Sequence, residues 1–233
     1  IEVGGKPILW HIMQHYSKFG HTDFIICLGY KGYVIKEYFS NYFLHNSDIT
    51  FDFKSGEKKI HDDRSENWRV TLVDTGENSM TGGRIKRVEP FLGGEDTFLI
   101  TYGDGLSDVD INKTIENHNK KGKICSVTAV YPPGRFGSLA INGDGIVSAF
   151  IEKPAGDGGM INGGYFVANQ KIFDYIEGDQ TVLEQEPLNN LSSKNELVAY
   201  KHMGFWQPMD TMRDKLLLDA LWASGEAPWK ANT

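Results

Sequence analysis

Apolar positions along the chain follow two rhythms that alternate up to about residue 131. Continuous apolar runs at residues 24–28, 70–73, 97–101 and 124–131 predict strands covered on both faces. Between them, residues 8–16, 33–43, 85–92 and 111–121 space their apolar side chains at helical intervals, as in Val34, Ile35, Tyr38, Phe39 and Tyr42. Pro7 suits a first helical turn, and Gly20 suits the left-handed position that follows a helix. Strands alternating with helices predict βαβ units and a mostly parallel sheet with helices on both faces. One interruption is the alternating run at 49–53, followed by the charged residues 54–67, which read as an exposed hairpin or loop.

Beyond residue 131 the rhythm changes. Pro132-Pro133-Gly134-Arg135-Phe136-Gly137 leads into two alternating runs, 138–141 and 146–151, around Asn142-Gly143-Asp144-Gly145, which predicts a small β-hairpin. A strand at 162–167 opens with Gly163-Gly164 and lets the backbone approach a ligand closely. Helices at 171–176, 183–191 and 211–222 and a short strand at 197–201 complete the chain.

The 233 residues fit one large domain, with 13 Phe, 10 Tyr and 5 Trp to build its core. A net charge of −7 argues against nucleic acid or an anionic membrane as partner, because both want a basic face. No apolar run approaches the roughly 18 residues of a membrane-spanning helix, so the cytoplasm is the expected compartment. Cys27 and Cys125 both lie within apolar runs and read as reduced core thiols. His11 and His15 stand four apart with no third metal ligand in sight.

Candidate chemistry centres on Gly103-Asp104-Gly105, where the apolar run at 97–101 ends. In an open α/β sheet ligands gather outside the carboxyl ends of strands, and carboxylates suit Mg²⁺, which bridges to phosphates. A plain turn is the alternative. Asp210 precedes a predicted helix, either as a second metal carboxylate or as that helix's N-cap; Asp108 or Asp110 reads as an N-cap. Thr81 and Arg84 flank a helix start whose amides suit a base or phosphate, or simply a cap. Lys153 ends a strand beside a Gly-rich loop, either as a phosphate ligand or as a solvated charge.

Several motifs taken together resemble the sugar-1-phosphate nucleotidyltransferases. They are Gly4-Gly5-Lys6-Pro7-Ile8, Gly29-Tyr30, Thr71-Leu72-Val73-Asp74-Thr75-Gly76, Ser79-Met80-Thr81-Gly82-Gly83-Arg84 and Gly103-Asp104-Gly105. Phe136-Gly137-Ser138-Leu139, Phe150-Ile151-Glu152-Lys153-Pro154, Ile161-Asn162-Gly163-Gly164 and the run 204–211 continue the match in order. The resemblance implies a Rossmann-like fold: residues 1–131 as a nucleotide-binding part and 132–233 as a sugar-phosphate and C-terminal part of a single domain. It is closest to the branch that joins CTP and α-D-glucose 1-phosphate with Mg²⁺, giving CDP-glucose and pyrophosphate for bacterial surface polysaccharide.

By that resemblance Asp104 and Asp210 would hold the metal, and Asp104 and Lys153 would act in catalysis. Gly137, Glu152, Lys153, Asn162 and Gly163 would line the sugar-phosphate site, with Thr81, Gly82, Arg84 and Gly103 on the nucleotide side. Homo-oligomers are common in the family. The family also opens with a strand and a loop of the form G-G-x-G-T-R, and Ile1 falls just after where that block would end. The expectation is that a segment precedes Ile1, and that without it the nucleotide site is partial and turnover impaired. Three other functions compete: the same transfer from UTP or dTTP, a glycosyltransferase using Asp108-Val109-Asp110, and a non-catalytic nucleotide-sugar sensor.

Overall fold

The structure is a computed structural model that describes residues 1–134, 138–141, 146–151 and 159–230. The chain forms two compact units, one of residues 1–21, 95–172 and 188–233, the other of residues 22–94 and 173–187.

In the first unit a four-stranded sheet has the order Leu197–Lys201, Cys125–Val130, Ile161–Asn169, Thr97–Thr101. The first pair is parallel, whereas Ile161–Asn169 runs antiparallel to both its neighbours. Cys125, Val130 and Phe166–Ala168 are buried, the continuous apolar burial expected of a covered sheet. The Ile111–Lys121 helix is capped by Asp110, which accepts from Lys113 N at 3.0 Å, and ends at Gly122 in the left-handed region. Ser138–Ile141 and Val147–Ile151 form the predicted antiparallel hairpin.

The Ile8–Ser17 helix buries His11 and His15 along with Ile12, Met13 and Tyr16. Trp229, 1% exposed, donates its indole N–H to His11 Nδ1, while His11 Nε2 donates to Val3 O. His15, 2% exposed, donates Nε2–H to Val109 O at 2.8 Å, and its Nδ1 has no hydrogen-bond partner among the described residues. Burial lowers its pKa to about 4. Below the unfolded value of about 6.5 the unfolded chain then binds a proton that the folded chain refuses, so stability falls with pH between about 6.5 and 4. At about 1.4 kcal/mol for each pH unit, the loss from His15 approaches about 3 kcal/mol. Urea unfolding at pH 7 and pH 4.5 should show a smaller pH-dependent loss for His15→Gln than for the parent chain; equal losses would exclude this histidine as the cause.

In the second unit Asp23–Leu28 and Arg69–Asp74 pair in parallel, Leu28 opposite Asp74. The expected 33–43 helix divides at Asn41 into Gly32–Ser40 and Tyr42–Asn46. Ser47–Asp52 and Glu57–Asp63 pair as an antiparallel hairpin, so the charged stretch is an exposed hairpin rather than a loop. The helix expected at 85–92 begins earlier: Thr81–Val88 is α-helical and Glu89–Phe91 adds a 3₁₀ turn. The two glycines at its start belong to the helix because a neighbouring segment leaves no room for side chains there, as described below.

Candidate functional site

Asp104 leaves the Thr97–Thr101 strand through Tyr102 and Gly103 and enters a short strand, Gly105–Ser107. That strand pairs antiparallel with Trp206–Pro208, with Pro208 opposite Gly105. Met209 N donates to Asp104 O at 2.8 Å, which sets Asp210 one residue beyond Asp104's backbone partner. Two acids separated by about a hundred positions in sequence thus meet at one end of a strand pair. Their proximity registers electrostatically: burial raises the pKa of the Asp104 carboxyl, and the negative charge of Asp210 raises it further.

The alternatives for the nearby acids are resolved by their partners. Asp210 is not the N-cap of the last helix. Thr211 takes that role in a capping box with Asp214, its hydroxyl accepting from Asp214 N while Thr211 N donates to the Asp214 carboxylate. Asp110 caps the Ile111–Lys121 helix and pairs with Lys113 at 3.1 Å, and Asp108 pairs with His202 at 2.9 Å. Both acids of Asp108-Val109-Asp110 therefore have structural partners.

Asn162 opens the long strand as an exposed residue. Its side-chain oxygen accepts from Gly164 N at 2.8 Å, and its amide donates to the Tyr102 hydroxyl at 3.2 Å. Gly163 is buried, and a Cβ there would stand 2.8 Å from Val130 Cγ1. Gly164 has φ +77°, a conformation natural to glycine. Gly103 is exposed, with nothing among the described residues within 4 Å of a Cβ placed there. Gly137, Glu152 and Lys153 lie outside the described residues.

Thr81, Gly82 and Arg84 belong to the other unit, and each has a partner within it. The Thr81 hydroxyl donates to Glu184 at 2.6 Å and accepts from Leu183 N at 2.9 Å. A Cβ on Gly82 would lie 2.7 Å from Thr181 O, and one on Gly83 2.3 Å from Asp179 O. Arg84 donates to Thr75 Oγ1 at 2.8 Å, Leu28 O at 3.2 Å and Glu77 O at 3.1 Å, lacing together the carboxyl ends of the two parallel strands. Its guanidinium lies where a Cβ on Gly29 would be, at 2.5 Å, which accounts for that glycine. Beside this lacing is a cavity of about 280 Å³ lined by Leu28, Gly29, Tyr30, Lys31, Asp74 and Glu77, among other residues. Gly29-Tyr30-Lys31-Gly32 is the turn expected between the 24–28 strand and the helix that follows, and the structure makes its first residues part of the cavity lining.

The strands and helices, with acidic and Gly-rich turns after the strands, are those of an α/β protein, and residues 1–207 match the nucleotidyl transferase family model. The chain belongs to that family. Within it, the chain groups with the glucose-1-phosphate cytidylyltransferases: it is 58% identical to those of Salmonella typhimurium and Salmonella typhi over 230 residues, covering 99% of this chain and 89% of each relative. Among solved structures, HddC from Yersinia pseudotuberculosis shares the Rossmann-like fold with a TM-score of 0.69 at 22% identity, over 95% of this chain and 88% of that one.

Proposed function

We propose that the protein transfers a cytidylyl group from CTP to α-D-glucose 1-phosphate, giving CDP-glucose and pyrophosphate for bacterial surface polysaccharide. The observation that carries this reading is the meeting of Asp104 and Asp210 at one end of a strand pair, in a chain 58% identical to relatives named for that reaction. An oxygen of the sugar phosphate attacks the α-phosphorus of CTP; a new P–O bond forms, the bond to the β-phosphate bridge breaks, and pyrophosphate leaves with that electron pair. The attacking oxygen is already anionic near neutral pH, so the protein needs no general base. What it must supply is in-line positioning and compensation of charge.

A carboxyl whose pKa is raised by burial and by the charge of a neighbouring carboxylate fits a divalent cation, which compensates that charge. Asp104 and Asp210 would hold it; Mg²⁺ suits an all-oxygen site that leaves positions for phosphate and water. When bound, the ion neutralises charge on the phosphates. Asn162 and the Gly163 backbone would meet the sugar phosphate together with Gly137, Glu152 and Lys153. Gly103 would serve the nucleotide side; within the second unit Thr81, Gly82 and Arg84 would serve it chiefly by fixing the helix start and the carboxyl ends of its two parallel strands. We place the reaction in the cytoplasm, in a homo-oligomer.

The test is release of pyrophosphate from CTP with glucose 1-phosphate and Mg²⁺, run beside UTP and dTTP. Release with CTP in excess of the others supports the reading. Hexose transfer from a nucleotide sugar, or CDP-glucose binding without turnover, would replace it. Lys153→Ala is expected to raise KM for glucose 1-phosphate by about tenfold with little change in KM for CTP; unchanged kinetics would return Lys153 to the solvated surface.

A further inference from the structure

The long strand Ile161–Asn169 breaks register against Cys125–Val130 between Asn162 and Phe166. Gly163 and Gly164 pair with neither neighbouring strand, and a buried carbonyl outside a ladder needs a donor from elsewhere. Gly164 O accepts from Tyr102 N at 3.1 Å. Gly163 O is met by a side chain distant in sequence: the indole Nε1–H of Trp206 donates to it at 2.7 Å.

Trp206 is the first residue of the strand that leads to Asp210 and stands opposite Ser107 in the strand that follows Asp104. Its Nε1 would lie 3.7 Å from a Cβ on Gly105, the residue directly after Asp104. Gly105 is held from another direction by the Tyr165 hydroxyl, which donates to its carbonyl at 3.0 Å. The irregular start of the sugar-side strand and the turn carrying Asp104 are thus cross-braced by two aromatic donors. Bulges recur beside active sites because they re-aim a side chain. Here the irregularity turns the Asn162 amide back onto Gly164 N and the Tyr102 hydroxyl.

We propose that Trp206 is a positioning residue that fixes the Asn162–Gly164 segment relative to the Asp104/Asp210 carboxylates, and thereby sets affinity for the sugar phosphate. The assignment rests on the transferase reading above. A donor that only filled a gap in the core would affect both substrates alike through general loosening. A brace between the segment that meets the sugar phosphate and the carboxylate turn affects the sugar phosphate selectively.

Trp206→Phe keeps a ring and removes the N–H. It is expected to raise KM for glucose 1-phosphate by about tenfold while KM for CTP stays within about twofold, with calorimetric binding of glucose 1-phosphate weakened in parallel. Unchanged affinity for glucose 1-phosphate would overturn the proposal, as would an equal rise in both KM values with a lowered Tm. Should that variant fail to fold, Tyr102→Phe releases the same segment from its other side, and the same selective rise is expected; its absence would overturn the proposal. A parent chain that turns over CTP and glucose 1-phosphate while the variants show no selective loss refutes the brace alone. A parent chain inactive with that pair refutes the reading beneath it.

Discussion

Asp104→Asn should lower kcat/KM for pyrophosphate release by about 10³-fold, the scale seen when one preorganised electrostatic group is removed from an active site, and should leave the fold unharmed. The substitution is nearly isosteric, so packing around the turn is kept. Stability is the more discriminating half of the expectation. Burial and the charge of Asp210 raise the Asp104 pKa in the folded chain. The folded state therefore holds this proton more tightly than the unfolded state does, and stability is lost as pH rises through the folded pKa. At neutral pH the ionised carboxylate costs stability unless a cation compensates, so the asparagine variant should melt at the same temperature as the parent chain or slightly above it without divalent ions. Added Mg²⁺ should then raise the Tm of the parent chain more than that of the variant. Thermal melts with and without Mg²⁺, beside the pyrophosphate assay, check both halves. Activity within tenfold of the parent would remove Asp104 from the metal role.

This pairing of acids also marks how far the chain could be read before its structure was described. Asp104 was legible because an apolar run ending in Gly-Asp-Gly is a local pattern. Asp210 was ambiguous for a local reason: an acid before a helix is a good N-cap. Thr211 and Asp214 form a capping box, and Thr-x-x-Asp is close enough to the familiar Ser/Thr-x-x-Glu pattern to have been found in the sequence. The Asp104–Asp210 encounter was out of reach of periodicity, because it depends on pairing between strands of three residues each. Strands that short carry almost no periodic signal. The antiparallel insertion of Ile161–Asn169 into the sheet was hidden similarly: a buried strand reads as the same apolar run in either direction. The exposed hairpin Ser47–Asp52/Glu57–Asp63 escaped full recognition because its second strand, EKKIHDD, has charge where strands are usually apolar or β-branched.

Gly82 and Gly83 show why a motif's chemistry and its packing must be separated. Gly83→Ala should destabilise the chain by a net of about 2 kcal/mol. In the interior of Thr81–Val88, alanine is favoured over glycine by about 1 kcal/mol through propensity alone. Against this, the new Cβ would stand 2.3 Å from Asp179 O and 2.5 Å from Asp179 Cα. These are backbone atoms, with no flexible end to swing aside. Overpacking of a well-packed site costs about 1–3 kcal/mol, occasionally more, and a clash with fixed backbone belongs at the top of that range, so the steric effect wins. For a chain of this length the net loss should lower Tm by roughly 5 °C. Met80 N donates to Asp179 O at 2.8 Å, and the Arg87 guanidinium clamps the Asp179 carboxylate at 2.6 and 2.7 Å, so the segment cannot retreat without breaking contacts at the helix it abuts. Gly103→Ala is the opposite case: nothing among the described residues lies within 4 Å of a Cβ there. That variant should keep its Tm, yet lose affinity for CTP if the open face of Gly103 is where the nucleotide approaches. Differential scanning calorimetry and KM for CTP, measured on both variants, separate the two glycines. Equal melting temperatures for both would refute the packing role of Gly83, and an unchanged KM at Gly103 would move the nucleotide elsewhere.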